Sequence, residues 1–325
     1  MKNYTVRLYQ KEDFDLWNAF IGKAKNATFL FHRNFMEYHN DRFQDYSLII
    51  EDDKKWIAVL PANRVENQVF SHQGLTYGGL IYDTKLKLTA VLEVFRTVLI
   101  FLESQNCSKL QIKLVPPFYS DVAAEELNYA LFLAEAKLIR RDTCAVINLQ
   151  RNYTISKDRL RGVAKGKKFS LEVREEPNFE LFWKEVLIPN LAENHQAKPV
   201  HSWEEIAQLH HYFPNNIRQF NVYHNNKIVA GTTIFESKNV AHSQYISGNS
   251  DKNTLGSVDY LHDFLLNTVF KEKKFFDFGI SNENQGKNLN EGLCYWKESF
   301  GANIAVHDFY EVSTANYSLL ENVLV

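Results

Sequence analysis

Apolar and polar runs alternate most regularly between residues 220 and 300. Two apolar runs, 220–224 and 227–236, flank the polar pair Asn225-Asn226. A third, Val240-Ala241-His242-Ser243-Gln244-Tyr245-Ile246, follows Ser237-Lys238-Asn239. A polar loop at 249–254 leads into an amphipathic segment, 255–274, and then into Phe275-Phe276-Asp277-Phe278-Gly279-Ile280, which reads as a buried strand. Short polar turns between β-rich runs predict antiparallel hairpins. The amphipathic segment predicts a helical crossover that sets the last strand parallel beside its predecessor. The predicted order is strand, strand, strand, helix, strand.

The first half of the chain repeats that order. Apolar runs at 46–51 and 56–64 flank Asp52-Asp53-Lys54-Lys55, and the turn Glu66-Asn67-Gln68 leads into Val69-Phe70-Ser71-His72-Gln73. After Gly74-Leu75-Thr76-Tyr77-Gly78-Gly79 a helix is predicted over 86–105, with Leu88, Val91, Leu92, Phe95, Val98 and Leu99 as its stripe, then a strand at 109–115. Ser71-His72-Gln73 stands where His242-Ser243-Gln244 stands in the second half. A period of about 170 residues is far too long for a solenoid and reads as two similar domains in tandem. Strand-turn-strand-helix order is common, but here the order and the His/Gln placement agree together.

The remaining segments fit around these blocks. A strand is predicted at 4–8, a helix at 13–25 with Asp13 as N-cap, and an aromatic helical face at 29–42. Pro116-Pro117 ends a strand. A helix at 121–136 and a strand at 141–149 complete the first half. Further helices are predicted at 152–168, at 179–195 with an interruption near Pro189, and after Ser202, whose capping-box partner is Glu205. A strand at 171–174, a helix at 289–300 and a strand at 303–310 follow. No flexible linker separates the halves. The expectation is therefore a mixed α/β chain (α+β mixed sheets) with domains at 1–150 and 151–325, packed across a cleft suited to a ligand.

Composition narrows the function. Lys and Arg total 37 against 39 Asp and Glu in 325 residues, a formal charge of -2. That argues against a surface devoted to nucleic acid, and DNA is not an expected partner. Cys107, Cys144 and Cys294 lie far apart without metal-ligand spacing, which fits buried thiols in a reducing compartment. The first ten residues lack the apolar core of a secretory leader, and the apolar stretch at 98–102 is too short to span a bilayer. A cytoplasmic protein without a metal is expected.

The predicted order resembles the N-acetyltransferase (GNAT) fold, and two copies in one chain resemble the FemAB-like branch of that superfamily. The blocks that carry the resemblance are Phe31-His32-Arg33 through Asp41-Arg42-Phe43, the stretch from Ser71 to Gly79, Lys198-Pro199-Val200-His201 and Ala241-His242-Ser243-Gln244-Tyr245. Asp277-Phe278-Gly279-Ile280-Ser281 with Asn282-Glu283-Asn284, then Leu289-Asn290-Glu291-Gly292, and Lys297 through Phe300-Gly301 complete them. The resemblance implies acyl transfer to an amine. The donor is an acyl-coenzyme A in one set of relatives and aminoacyl-tRNA, building peptidoglycan, in the other. No long heptad insertion of the tRNA-type members is present. The sequence therefore favours acyl-coenzyme A and the amine of a dTDP- or UDP-type amino sugar, for surface polysaccharide. The sugar follows from the family branch alone. Alternatives are the tRNA-dependent reaction and a non-catalytic binding module on the same scaffold.

Attack of an amine on a thioester needs a proton acceptor, donors for the oxyanion, and amides or cations for the donor's pyrophosphate. His72, beside a glycine-rich stretch, is the leading candidate base and His242 its rival; a histidine hydrogen-bonded within a sheet is the ordinary alternative. Alternation along a strand puts Gln244 on the face of His242, with Tyr245 beside it. Gly256-Ser257 at a helix start, with Asp259 in its first turn, form the candidate donor site, although Gly256 stands alone where the family has a glycine-rich loop. The resemblance implies a role for Lys297 toward donor or oxyanion. Asn282, Glu283 and Asn290 follow a strand end, where loops hold substrate-binding groups, and Tyr77 could stack on a base or sugar; with His32 they are the candidate acceptor contacts. Arg159, Arg161 and Lys165 form a basic face that could meet phosphates, though such faces are ordinarily solvated helix surfaces.

Overall fold

Asn225 and Asn226 take positive φ values of 50° and 62° and close the hairpin that the polar pair predicts. Consecutive left-handed residues match the twist of the flanking strands, and asparagine tolerates that conformation. Asp53 and Lys54, at φ 48° and 65°, do the same for the earlier hairpin. A computed structural model describes residues 4–324.

The chain divides into two units. One comprises the residues up to Asp142, Gln285–Lys287 and the tail from Val306; the other comprises Thr143–Asn284 and Asn288–Ala305. This differs from the expected division at 150/151. The tail returns to the first unit because Phe309 to Ser313 pair antiparallel with Lys109–Lys113, and Val312 and Leu320 join its apolar core.

In the first unit, Thr5–Leu8, Leu48–Asp52, Lys55–Leu60 and Ile81–Tyr82 form an antiparallel sheet. The chain leaves that sheet at Pro61, which has no N–H to give a ladder. It then forms the hairpin Asn63–Val65 with Gln68–Phe70. Gln68–Phe70 lies parallel to Lys109–Lys113, and the helix Leu88–Ser104 makes the crossover. Val91, Leu92, Phe95, Val98 and Leu99 of the predicted stripe are buried, whereas Leu88, in the first turn, is exposed. The predicted helix at 29–42 is instead three short turns, Phe29–Phe31, Arg33–Met36 and Glu37–His39, because His32 is extended and breaks the run.

In the second unit, Glu172–Glu175, Ile217–His224, Lys227–Glu236 and Val240–Gly248 are antiparallel neighbours in that order. Val240–Gly248 then runs parallel to Phe275–Ile280. The crossover between them is helical: Lys252–Leu255, a break at Gly256, Ser257–Phe264, and a wider turn at Leu265–Val269. Phe220, Phe276, Phe278 and Phe300 pack with Leu261 and Leu265 into the core beneath it. Ser202 caps its helix through the N–H of Glu205, whose side chain returns to the N–H of Ser202 at 2.8 Å. The predicted strand, strand, strand, helix, strand order is present in the second unit; in the first, Asn63–Val65 and Ile81–Tyr82 are additional strands and the set divides between two sheets.

Candidate functional site

The parallel pairing in the second unit is short. Val240, Ala241 and His242 pair with Phe275, Phe276 and Asp277, although the strands continue to Gly248 and Ile280. On its other edge, Val240–Gly248 carries a β-bulge: Ser243 pairs with Ile234 and Tyr245 with Thr233, so the register skips Gln244. A bulge leaves its extra residue outside the ladder and bends the strand. The strict alternation that would set Gln244 beside His242 is therefore interrupted. Gln244 Oε1 is buried without a hydrogen-bond partner.

A cavity of about 520 Å³ opens at the end of that strand, against Ile246, Ser247 and Gly248. Its other walls come from the helices Lys157–Lys168, Ser257–Phe264 and Glu291–Glu298. Four cations line it, Arg159, Arg161, Lys165 and Lys252, against two carboxylates, Asp158 and Asp259. Arg159 Nη1 and Trp296 Nε1 both donate to Asp259 Oδ1 at 2.9 Å. Burial raises the Asp259 pKa against the pull of Trp296 and Arg159. Arg161 pairs with Asp158 at 2.8 Å, and Lys165 Nζ donates to the carbonyl of Asn253 at 2.8 Å.

The two long walls approach through glycines. A Cβ on Gly162 would lie 2.0 Å from Asp259 Oδ2, and one on Gly256 would lie 2.1 Å from the Gly162 carbonyl oxygen. Gly256 also has φ 65°, ending one short helix and starting the next. Gly256 thus shapes the cavity wall by close helix contact. Ser257 is fully buried, and its Oγ has no hydrogen-bond partner.

Upstream on the same strand, His242 Nδ1 lies 2.9 Å from Asp277 Oδ2. The N–H of Gly279 donates to Asp277 Oδ1 at 2.7 Å. Lys297, which is 3% exposed, donates from Nζ to the carbonyls of Gly279 at 3.1 Å and Ile280 at 2.5 Å. Desolvation lowers the Lys297 pKa to about 8 against the opposing pull of Asp277. Lys297 is a clamp on this strand end.

The other predicted residues scatter. His72 lies in the first unit, 3% exposed, at φ 65°, its ring 5.3 Å from that of His39. Burial, with His39 and then Lys113, lowers its pKa to about 3, which makes it a weak proton acceptor. Tyr77 is buried in the same unit, its hydroxyl donating to Thr28 Oγ1 at 3.0 Å. His32, also in the first unit, has its pKa lowered by desolvation. In the second unit, the Tyr245 hydroxyl accepts from the N–H of His201 at 3.1 Å. Asn282 Oδ1 accepts from the N–H of Thr143 at 2.6 Å. Asn290 caps the helix Glu291–Glu298 through the N–H of Leu293 and donates to Glu283 Oε1. Gly162 and Trp296 were not singled out by sequence, and Asp277 entered only within a resemblance block, without a site role. An aspartate between phenylalanines and glycines at 162 and 166 were the available signals. Among the described residues no group of three or more His, Cys, Asp or Glu is placed to hold a metal, and no helix is long and apolar enough to cross a membrane.

No protein-family model and no curated protein matches the chain. Among solved structures it is similar to FemX, with a TM-score of 0.66 at 9% identity, over 98% of this chain and 99% of that one. It is similar to L-PGS from Bacillus licheniformis, with a TM-score of 0.57 at 10% identity over 96% and 94% of the chains. A conserved protein of unknown function from Bacteroides thetaiotaomicron also has a TM-score of 0.57, at 10% identity over 96% and 99%. Likeness at identities this low shows the fold alone: the chain shares the mixed α/β fold of FemX.

Proposed function

We propose that the chain is an N-acyltransferase that moves an acyl group from coenzyme A to the amine of a nucleotide-linked amino sugar. One observation carries the donor half of this reading. In the second unit the parallel pairing ends at His242 and Asp277, a bulge follows at Gln244, and a cavity with four cations opens beyond Ile246. Strand edges released in this way accept an extended, amide-rich arm by main-chain hydrogen bonds. The cations and the helix starting at Ser257 suit the phosphates at the other end of such a donor. The likeness to FemX supports the same reaction class. The nucleotide sugar rests on the sequence resemblance.

The reaction is direct attack. The amine nitrogen bonds to the thioester carbonyl carbon, the C–S bond breaks, and the thiolate leaves with the electron pair. A second reading, with aminoacyl-tRNA as donor, is favoured by the exposed basic side chains of Lys157, Arg161, Lys165, Lys167 and Lys168. A thiol-release assay with acetyl-coenzyme A and a panel of nucleotide amino sugars separates them. Acceptor-dependent thiol release supports the first reading. Its absence with every acceptor, together with ribonuclease-sensitive transfer, replaces it with the second.

A further inference from the structure

Resting on the acyl-transfer reading, we infer that His242 takes the proton from the attacking amine and that Asp277 is the positioning residue that holds it ready. A carboxylate accepts and does not donate, so the 2.9 Å contact puts the ring proton on Nδ1 and leaves the Nε2 lone pair for the substrate. The carboxylate is itself fixed, because Asp277 is 2% exposed and its other oxygen takes the N–H of Gly279. A Cβ on Gly279 would come within 3.1 Å of His242 Cε1, so the ring is backed by the glycine at φ 72°. Lys297 pins the carbonyl of that glycine and the one after it, Ile280. The chain of contacts therefore runs from a helix, through a strand end, to the imidazole.

The location fits the chemistry. His242 is the last residue in the parallel pairing and stands two before the bulge. Ile246 at the cavity lies four positions further along the strand, at most about 13 Å at strand rise. A donor with its phosphates in the cavity thus directs its thioester back along the strand toward His242. The histidine side chain is 12% exposed, which leaves the ring a way to an amine. Asp277 is the charged group in contact with the ring, and Lys297, on the neighbouring helix, interacts in turn with Asp277, Cys144 and Cys294. During transfer the amine proton passes to Nε2, the imidazolium is held by Asp277, and the proton is then released to the departing thiolate or to solvent. The products are an amide and a thiol.

The test uses the full chain. In ¹⁵N NMR of the ring, His242 is expected to carry its proton on Nδ1, and D277N is expected to abolish that preference. H242A and D277N are each expected to lower turnover by about 10²–10⁴-fold, with added imidazole restoring part of the H242A loss. The acid limb of the pH–rate profile is expected to disappear in H242A. Turnover of H242A or D277N within twofold of wild type overturns the inference. If D277N does not fold, H242A and the wild-type ring signals still decide. If no donor is turned over at all, the acyl-transfer reading fails separately, and a wild-type ring proton on Nε2 overturns the orientation by Asp277.

Discussion

Arg159 Nη1 donates to Oδ1 of Asp259 at 2.9 Å, and this pair joins the basic helix to the first turn of the helix after Gly256. The two side chains are 21% and 12% exposed, so the bond is sheltered and still faces the cavity. Trp296 shares the same carboxylate oxygen, and Arg159 Nε is buried without a hydrogen-bond partner.

Arg159→Ala is expected to weaken coenzyme A binding by about 10- to 100-fold, the range for losing a charge-assisted hydrogen bond. It also leaves a buried carboxylate that keeps the hydrogen bond from Trp296. Arg159→Lys, which lacks the planar fork, is expected to recover only part of the loss. Calorimetric titration of the two variants checks this; unchanged affinity in Arg159→Ala would remove the residue from the donor site.

Gly162→Ala tests the helix contact. Alanine in a helix interior gains about 1 kcal/mol over glycine. Here its Cβ would lie 2.0 Å from Asp259 Oδ2, and overpacking of this kind costs about 1–3 kcal/mol. The clash involves a carboxylate anchored by Arg159 and Trp296, so it is expected to win. The melting temperature should fall by a few degrees, and a rise would show that the helices are free to separate.

Lys297 gives stability a pH dependence with a definite sign. Its folded pKa of about 8 lies below its ordinary 10.5 because burial penalises the ammonium. Below about pH 8 both folded and unfolded chains carry the proton, and folding bears the full penalty. Between about 8 and 10.5 the unfolded chain holds more protons, so this lysine's contribution rises with pH. Lys113 in the first unit behaves alike, its pKa also lowered to about 8 by burial. The stability of the wild type relative to Lys297→Met should therefore rise between pH 7 and pH 10. Thermal melts at matched ionic strength would show it, and a flat difference would mean that the amine is solvated.

Much of the strand order was legible because short polar turns such as Asn225-Asn226 separate apolar runs of strand length. The division of the chain was less so, because the return of Phe309 to Ser313 onto Lys109–Lys113 is a pairing across about 200 residues that local periodicity does not encode. The bulge at Gln244 was invisible for a related reason: a single inserted residue leaves the hydrophobic pattern nearly intact. His72 and His242 look alike in sequence, and only burial separates a ring held at a pKa near 3 from one set against a carboxylate. Asp277 was readable in principle, since an aspartate within Phe-Phe-Asp-Phe needs a partner when buried. The basic face of Lys157–Lys168 looks the same whether it meets water or a cavity. Gly162 and Gly166, four residues apart on that helix, were the sign of close packing on one side.

The most direct test is titration calorimetry of coenzyme A into the full chain, repeated with Arg159→Ala and at raised salt. Binding of one coenzyme A per chain, weakened by the substitution and by salt, is the expected result for a donor held in the cationic cavity of the second unit. Absence of binding, or binding indifferent to both Arg159 and salt, would contradict it.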